Sequence, residues 1–285
     1  MKPIVILISL FSFLYGESKI SNLILVENNE IKNNSIDNST VKQGIIDIHN
    51  STISDSSFTF TNSITDNSKL KNSTIRQGYI ELNGATIQNS LFNLKNTLKN
   101  SNIEGSTIDQ SVIVLESNAK ILDSNISTNN LIDNLTATNS TVTQASITMK
   151  SGSRINKSKI TLTNIIKNTT LTNSSILQAE LILNQNSNID GAVITNKNSV
   201  TGNSKITDNS YLIQGRIVLE EGKTLNHHID IESIADNIII GSGTTVNMCE
   251  TTVSEDSTGD ITKKCEVSDS TYSSGTTVTI ASTSS

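Results

Sequence analysis

Carboxylates and histidines are the residues of this chain that could perform acid–base catalysis. Asp47 and Glu81 hold the same position, four residues after a glutamine, in two copies of a sequence repeat. Enzymes that cleave polysaccharides need such carboxylates clustered on one face, often beside a basic residue. The later copies place other residues there, namely Val114, Thr148, Ile182 and Val218. No basic partner recurs, so we expect scattered solvated charges and no enzymatic activity.

A second group of titratable residues lies near the C-terminal end, where His227 and His228 precede Asp230 and Glu232. Adjacent residues on a strand point to opposite faces, so these two histidines are poor co-ligands for a metal. The sequence contains no phosphate-binding glycine loop, no calcium-type glycine–aspartate repeat and no zinc pattern. We therefore expect neither a metal nor a cofactor.

Cys249 and Cys265 are the two cysteines of the chain. In an exported protein an even pair favours a disulfide. On the chain-entropy model a loop of this length would stabilise the fold by about 3 kcal/mol. Two free thiols, or cross-links between subunits, are the alternatives. A metal site is not favoured, because the histidines do not form a ligand cluster with these cysteines.

Six glutamines recur with spacings of 34, 33, 34, 34 and 36 residues, and they are Gln43, Gln77, Gln110, Gln144, Gln178 and Gln214. Each stands two residues after an aliphatic residue and is followed by glycine, serine or alanine. A buried amide is costly unless its donors and acceptors are paired. Amides one layer apart can pair with each other, as in the ladders of cross-β assemblies. We predict an inward glutamine ladder; corner glutamines wetted by solvent are the alternative.

The elements that must position these glutamines follow from a second series with the same period. Its members are Ile64, Leu98, Ile132, Ile166, Val200 and Ile234, each 34 residues apart. Apolar residues alternate with polar ones on both sides of each glutamine, which is the period of a β-strand. The alternation changes phase at the small residue after the glutamine, which indicates a bulge or a corner. Fixed-period repetition of this kind is typical of stacked architectures.

These patterns predict an all-β fold, a parallel β-solenoid of about six 34-residue repeats with a Ser/Thr-rich C-terminal cap or tail. Each repeat could form one rung or two coils of about 17 residues. At about 4.8 Å per layer the two arrangements give stacks of about 30 Å and about 60 Å. The sequence leaves this choice open, although two coils would break direct contact between glutamines.

Three segments are expected along the chain. Residues 1–18 read as a secretory signal peptide, with Lys2 before a mostly apolar run and Gly16 near a plausible cleavage point. A buried N-terminal strand is the alternative. Residues 19–240 form the repeat domain, and residues 241–285 form a cap or tail with the possible disulfide. We expect a secreted or cell-surface protein with no transmembrane segment after signal cleavage.

Charge excludes one class of partner. The formal net charge is −6 and charged residues make up 17% of the chain. This mild acidity argues against a nucleic-acid partner, because binding to nucleic acid requires a basic patch.

The repeats resemble those of the bacterial functional amyloids. The run of Ser73, Ile75, Gln77 and Gly78 is similar to the curlin repeat. The longer period, the Asn/Gln/Ser richness and the late cysteines look more like Fap-type fibre subunits. The resemblance covers roughly residues 21–240, although glutamine and glycine are adjacent here and the cysteines lie far apart. It implies an exported subunit that polymerises into biofilm or surface fibres.

Two functional hypotheses follow for a chain of this kind. The first is a secreted structural protein that self-associates into extracellular or cell-surface amyloid-like fibres, with secretion or assembly factors as further partners. The alternative is a monomeric β-solenoid that serves as an adhesin or a carbohydrate-binding surface for cell-surface glycans. The distinct C-terminal segment favours the alternative, because a cap would block stacking.

Overall fold

The chain forms a three-sided parallel β-solenoid. The structure is a computed structural model that describes residues 5–7, 12–14, 19–150, 152–184, 187–219, 223–225, 227–253 and 258–280. These residues form strands joined by turns and bends, and no helix occurs among them. The predicted all-β solenoid is confirmed.

Each turn of the solenoid contributes to three sheets in the order A, B, C. Sheet A consists of Val5–Leu7, Ser12–Leu14, Thr40–His49, Thr74–Asn83, Thr107–Gln110, Ile113–Glu116, Thr141–Met149, Ser175–Leu183, Tyr211–Gln214, Ile217–Leu219, Thr245–Met248, Thr251–Val253 and Thr277–Ile280. Sheet B consists of Lys19–Ser21, Thr52–Ser54, Thr86–Gln88, Lys120–Leu122, Arg154–Asn156, Asn188–Asp190 and Lys223–Leu225. Sheet C consists of Ile24–Lys32, Ser35–Asp37, Ser57–Thr65, Lys69–Lys71, Leu91–Glu104, Asn125–Thr138, Lys159–Lys167, Thr170–Thr172, Val193–Thr201, Lys205–Thr207, His227–Asp236, Ile239–Ile240, Gly259–Ser268 and Thr271–Tyr272.

One repeat forms one rung. In sheet A, Gln77 pairs with Gln43, and in sheet C, Leu98 pairs with both Ile64 and Ile132. The chain therefore returns to the same position after one repeat of about 34 residues, which settles the choice that the sequence leaves open. The solenoid has about seven turns, so its length is about 34 Å at 4.8 Å per layer.

Many corners consist of an asparagine or aspartate followed by serine, which explains the unusual composition. Asn38 and Asn72 have φ angles of 47° and 46°, in the left-handed region that asparagine tolerates best. The next residue, Ser39, donates its hydroxyl to the carbonyl of Asp37 at 2.7 Å. Its backbone N–H donates to the Ser73 hydroxyl of the next rung. Serine hydroxyls thus satisfy buried backbone groups at the corner, where the strand ladder cannot.

The core consists of two apolar columns that run along the stack. One contains Ile46, Phe58 and Phe60, and the other contains Val41 and Ile64. Five members of the predicted aliphatic ladder, from Ile64 to Val200, are fully buried. Their stacking is confirmed by the register of sheet C.

The prediction for Ile234 is wrong. Val200 pairs with Ala235, and Ile234 lies opposite Ser199 on the outward-facing side of the strand. The rung that begins at Val193 needs 35 residues to reach its partner His228. One additional residue reverses the facing of every later side chain in a strand. Ala235 is accordingly buried and Ile234 is only half-buried.

The expected boundary near residue 240 does not mark an end of stacking. Thr245–Met248 pairs with Tyr211–Gln214, and Gly259–Ser268 pairs with His227–Asp236. The β-branched Thr and Val residues of this segment suit strands although the glutamine motif is lost. The segment up to Ile280 therefore adds a further turn, shortened to 32 residues between Thr245 and Thr277.

Within the predicted signal peptide, Val5–Leu7 and Ser12–Leu14 are strands that pair with Thr40–His49. The rest of residues 1–18 lies outside the described residues. Signal cleavage stays a prediction, and so does the alternative of an N-terminal strand that belongs to the folded protein.

Candidate functional site: the amide columns and the ends of the stack

The six glutamines form a continuous buried hydrogen-bonded column. Each is fully buried, and the side-chain amides of the last five donate to the glutamine of the preceding rung at 2.6–3.0 Å. Every donor nitrogen points toward the N-terminal end of the stack. Within the column each amide pairs with its neighbours, as buried amides must; among the described residues only its two ends, the Gln43 nitrogen and the Gln214 oxygen, lack a partner. The predicted glutamine ladder is confirmed.

A second amide column, which the sequence interpretation missed, stands in sheet C. Its members are Asn29, Asn62, Asn96, Asn130, Asn164 and Asn198, which lie 33 or 34 residues apart and two residues before the aliphatic ladder. Each amide donates to the following rung at 2.8–2.9 Å, and Asn198 ends the column by donating to the Ser233 hydroxyl at 3.2 Å. The asparagine donors point toward the C-terminal end. The two columns therefore carry opposed side-chain dipoles.

The corner residue after each glutamine lies against the asparagine column. Seven equivalent corner residues have φ between 55° and 68°, from Gly44 and Gly78 to Gly215 and Cys249. A Cβ added at Gly78 would lie 3.2 Å from the Asn96 amide nitrogen, which explains the small residue. In one rung the corner is Ser111, whose hydroxyl accepts from Asn96 at 2.8 Å and donates to Asn130 at 2.9 Å. The predicted bend is confirmed, and its cause is the neighbouring amide column.

The disulfide replaces this polar corner contact in the last turn. Cys249 takes the corner position, because Met248 pairs with Gln214. Cys265 takes the asparagine-column position, because it pairs with Ser233. The bond joins Cys249 to Cys265 with Cα atoms 6.4 Å apart, within one chain. The predicted disulfide is confirmed, and it lies where both columns have run out of amides.

Removing the disulfide with Cys249→Ala and Cys265→Ala should lower the free energy of unfolding by about 3 kcal/mol. The loss should be concentrated in Gly259–Ser268, whose inward residues Ile261, Lys263 and Val267 are only half-buried. Hydrogen exchange of the alanine variant, and of the wild type with and without reductant, measures both the size and the location of the loss. Loss of protection spread evenly along all turns would contradict this placement.

One buried amide belongs to neither column. Asn196 is fully buried, stacks between Leu162 and Ile231, and has no hydrogen-bond partner for either side-chain atom among the described residues. An unpaired buried amide costs about 1–3 kcal/mol. The residues directly above and below it in the stack are both apolar, so no neighbouring side chain can pair with the amide.

Replacing Asn196 with leucine should therefore raise the free energy of unfolding by about 1–3 kcal/mol. Asn164→Leu is the matched control, because Asn164 is equally buried but hydrogen-bonded to both neighbouring rungs. The control should be destabilised. Urea unfolding of both variants measures the difference, and two shifts of the same sign would refute the assignment.

Charged side chains pair across rungs on the outer surface. Asp133 lies 3.4 Å from Lys99 and 3.7 Å from Lys167, and Arg216 lies 3.1 Å from Glu180. Burial raises the pKa of Glu180 against the opposing influence of Arg216. Burial likewise raises the pKa of Asp109. The carboxylates of Asp133 and Glu180 are buried whereas their basic partners are partly exposed, so removing a basic partner would leave a buried charge unpaired.

The candidate catalytic residues form no enclosed site. Glu81 pairs with Asp47 on the next rung, and Asp47 lies 2.8 Å from the His49 imidazole. His228 lies 3.3 Å from Asp230 on an exposed strand; the side chain of His227 is outside the described set. No group of three metal-ligating residues is found among the described residues. Nor does the described part of the chain contain a helix long and apolar enough to span a membrane.

Comparisons with known proteins add little to this geometry. No family model matches the chain, and no curated protein matches its sequence. Among solved structures, the chain is similar to trypsin-treated QnrB1, a plasmid-mediated fluoroquinolone resistance protein, with 14% identity, 68% of this chain and 83% of that chain covered, and a TM-score of 0.16. The receptor-binding domain of the siphovirus 9NA tailspike shows 9% identity, 94% and 73% coverage, and a TM-score of 0.13. Neither likeness is close enough to carry an argument.

Proposed function

We propose that this chain is a secreted structural subunit that self-associates end to end into extracellular or cell-surface amyloid-like fibres. The observation that carries the proposal is a cross-section that repeats from rung to rung up to an open last rung. Gly259–Ser268 pairs on one side with His227–Asp236, and no described strand covers its other edge. An uncovered strand edge is a template for pairing with another chain.

The composition of the rungs supports the same function. The single proline, Pro3, lies in the predicted signal peptide, so no proline interrupts the strands that would extend into a fibre. The buried amide columns resemble the ladders that stabilise cross-β fibres. The intrachain disulfide suits an oxidising extracellular environment. The resemblance to bacterial functional amyloids agrees with these properties.

Electron microscopy and fibre diffraction of the exported protein test the proposal. We expect unbranched fibres with a meridional reflection near 4.7–4.8 Å, the spacing between strands along the axis. Discrete rods of about 34 Å that do not lengthen with concentration would contradict it.

A monomeric adhesin or carbohydrate-binding protein is the second candidate. Its specific support is an open groove of about 700 Å³ along the corner between sheets B and C, lined by residues such as Asn89, Asp123, Asn125 and Lys159. Rows of amides, carboxylates and amines suit polyhydroxylated ligands. Binding of the monomer to a glycan array would favour this candidate, and a glycan-cleavage assay on the same ligands tests our expectation that the chain is not an enzyme.

A further inference from the structure

Two opposite charges occupy one core position at the two ends of the stack. Following the register of sheet C, this position is held in turn by Glu27, Phe60, Leu94, Thr128, Leu162, Asn196, Ile231 and Lys263. The six intermediate residues are uncharged. An acid thus stands at this inward position in the first rung of sheet C, and a base stands there in the last rung.

Among the described residues, neither charge pairs with a side chain of opposite charge. Both carboxylate oxygens of Glu27 are buried and have no hydrogen-bond partner among the described residues. The Lys263 ammonium donates to the Thr251 hydroxyl at 2.5 Å and, among the described residues, forms no ion pair within the chain. Burial raises the pKa of Glu27 against a smaller opposing influence of the Asn29 side chain, and burial lowers the pKa of Lys263. Both shifts have desolvation as their main cause, so the charged form of each group is disfavoured where it stands.

We propose that copies join head to tail in register, so that Lys263 of one copy lies against Glu27 of the next. This inference rests on the proposed self-association and identifies the residues in contact between successive copies. Continuing the register across the joint places Ile261 against Leu25 and Val267 against Ile31, two apolar contacts on either side of the charge pair. In sheet A it places Val278 against Val41. The second copy therefore extends both apolar columns and neutralises both end charges.

The N-terminal segment decides when this joint can form. Val5–Leu7 pairs with Thr40, Val41 and Lys42, where the joint would seat Thr277–Ile280 of the other copy. The precursor therefore blocks its own N-terminal edge. Cleavage of the predicted signal peptide uncovers Thr40–His49 and permits addition of a copy.

Charge reversal tests the joint in protein exported and processed from the full chain. Glu27→Lys and Lys263→Glu each place like charges in a half-buried contact, a juxtaposition that is strongly unfavourable. Each variant should slow fibre growth about tenfold or more, and the double variant should restore it. Asp208→Lys and Lys95→Glu are controls within the stack, where both residues are exposed; Lys157 shows that a lysine can hold a left-handed corner like that of Asp208. The controls should grow like the wild type.

The outcomes separate this inference from the proposed function. Slow single variants with a rescued double variant establish the pair, provided that the monomers keep their unfolding midpoints. If either reversal unfolds the monomer, Glu27→Gln and Lys263→Gln replace it and should each slow growth several-fold. If the wild type forms fibres and the two single reversals grow as fast as the two controls, the joint is overturned but self-association is left intact. Faster growth of the single variants would show that the charges block association, and an absence of wild-type fibres would end both proposals.

Discussion

Ile132→Asp should abolish cooperative folding of the solenoid. Ile132 is fully buried and stacks between Leu98 and Ile166, so an aspartate there has apolar neighbours on both rungs. The substitution removes a buried aliphatic side chain and buries a carboxyl group without a partner. Each change costs several kcal/mol, and together they should exceed about 4–5 kcal/mol. That loss is comparable with the whole stability of many domains.

Asn129→Asp is the matched control for this variant. It introduces the same side chain on the same strand, but Asn129 is exposed and pairs in register with Lys95. Its free energy of unfolding should stay within about 0.5 kcal/mol of the wild type. Thermal unfolding followed by circular dichroism compares the two variants. An unchanged transition for Ile132→Asp would mean that the side chain does not lie in a continuous buried column.

The double variant Gln110→Leu/Gln144→Leu should have the second-largest effect. It removes three hydrogen bonds of the glutamine column and leaves the Gln77 oxygen and the Gln178 nitrogen buried without partners. At about 1–3 kcal/mol for each orphaned group, we expect a loss of about 2–6 kcal/mol, partly offset by the apolar leucines. Fibre assembly should slow or lose register, because the column aligns successive rungs.

Gln214→Leu provides the comparison at the end of the column. The Gln214 oxygen already lacks a partner, and Met248 follows it in the next rung. This variant loses one hydrogen bond and removes a group that is already unsatisfied, so it should cost less than about 2 kcal/mol. Urea unfolding and assembly kinetics measure both variants. Equal behaviour of the double variant and the wild type would indicate that the glutamines are wetted.

The sequence predicted those repeating features whose residue type is uncommon elsewhere in the chain. Glutamine is uncommon enough here that its period stands out, and the phase change after it required a corner. The asparagine column has the same period, but asparagine also fills the exposed corners, such as Asn38 and Asn72. Because asparagine is frequent at many other positions, the 34-residue period of the buried asparagines does not stand out in the sequence. What distinguishes Asn62 or Asn96 is burial, which depends on the corner packed against it.

Other features depend on single-residue shifts or on stacking itself. Ile234 and Ala235 are adjacent, so the extra residue in the preceding rung changed which one points inward. The last turn lacks the glutamine motif but still forms strands. Its backbone pairs with Tyr211–Gln214 and His227–Asp236, and this pairing stabilises strands that the repeat motif does not predict. The equivalence of Glu27 and Lys263 becomes visible only once the register is known through every rung.

Distances between spin labels on equivalent outward positions test the central claim most directly, namely that each repeat is one rung stacked in register on the last. Asn28, Lys95 and Lys264 are exposed and belong to one such row. With the disulfide intact, labels at positions 95 and 264 should lie about 24 Å apart, and labels at 28 and 264 about 34 Å apart. Separations near twice these values would indicate two coils per repeat, and separations unrelated to the number of intervening repeats would contradict the solenoid.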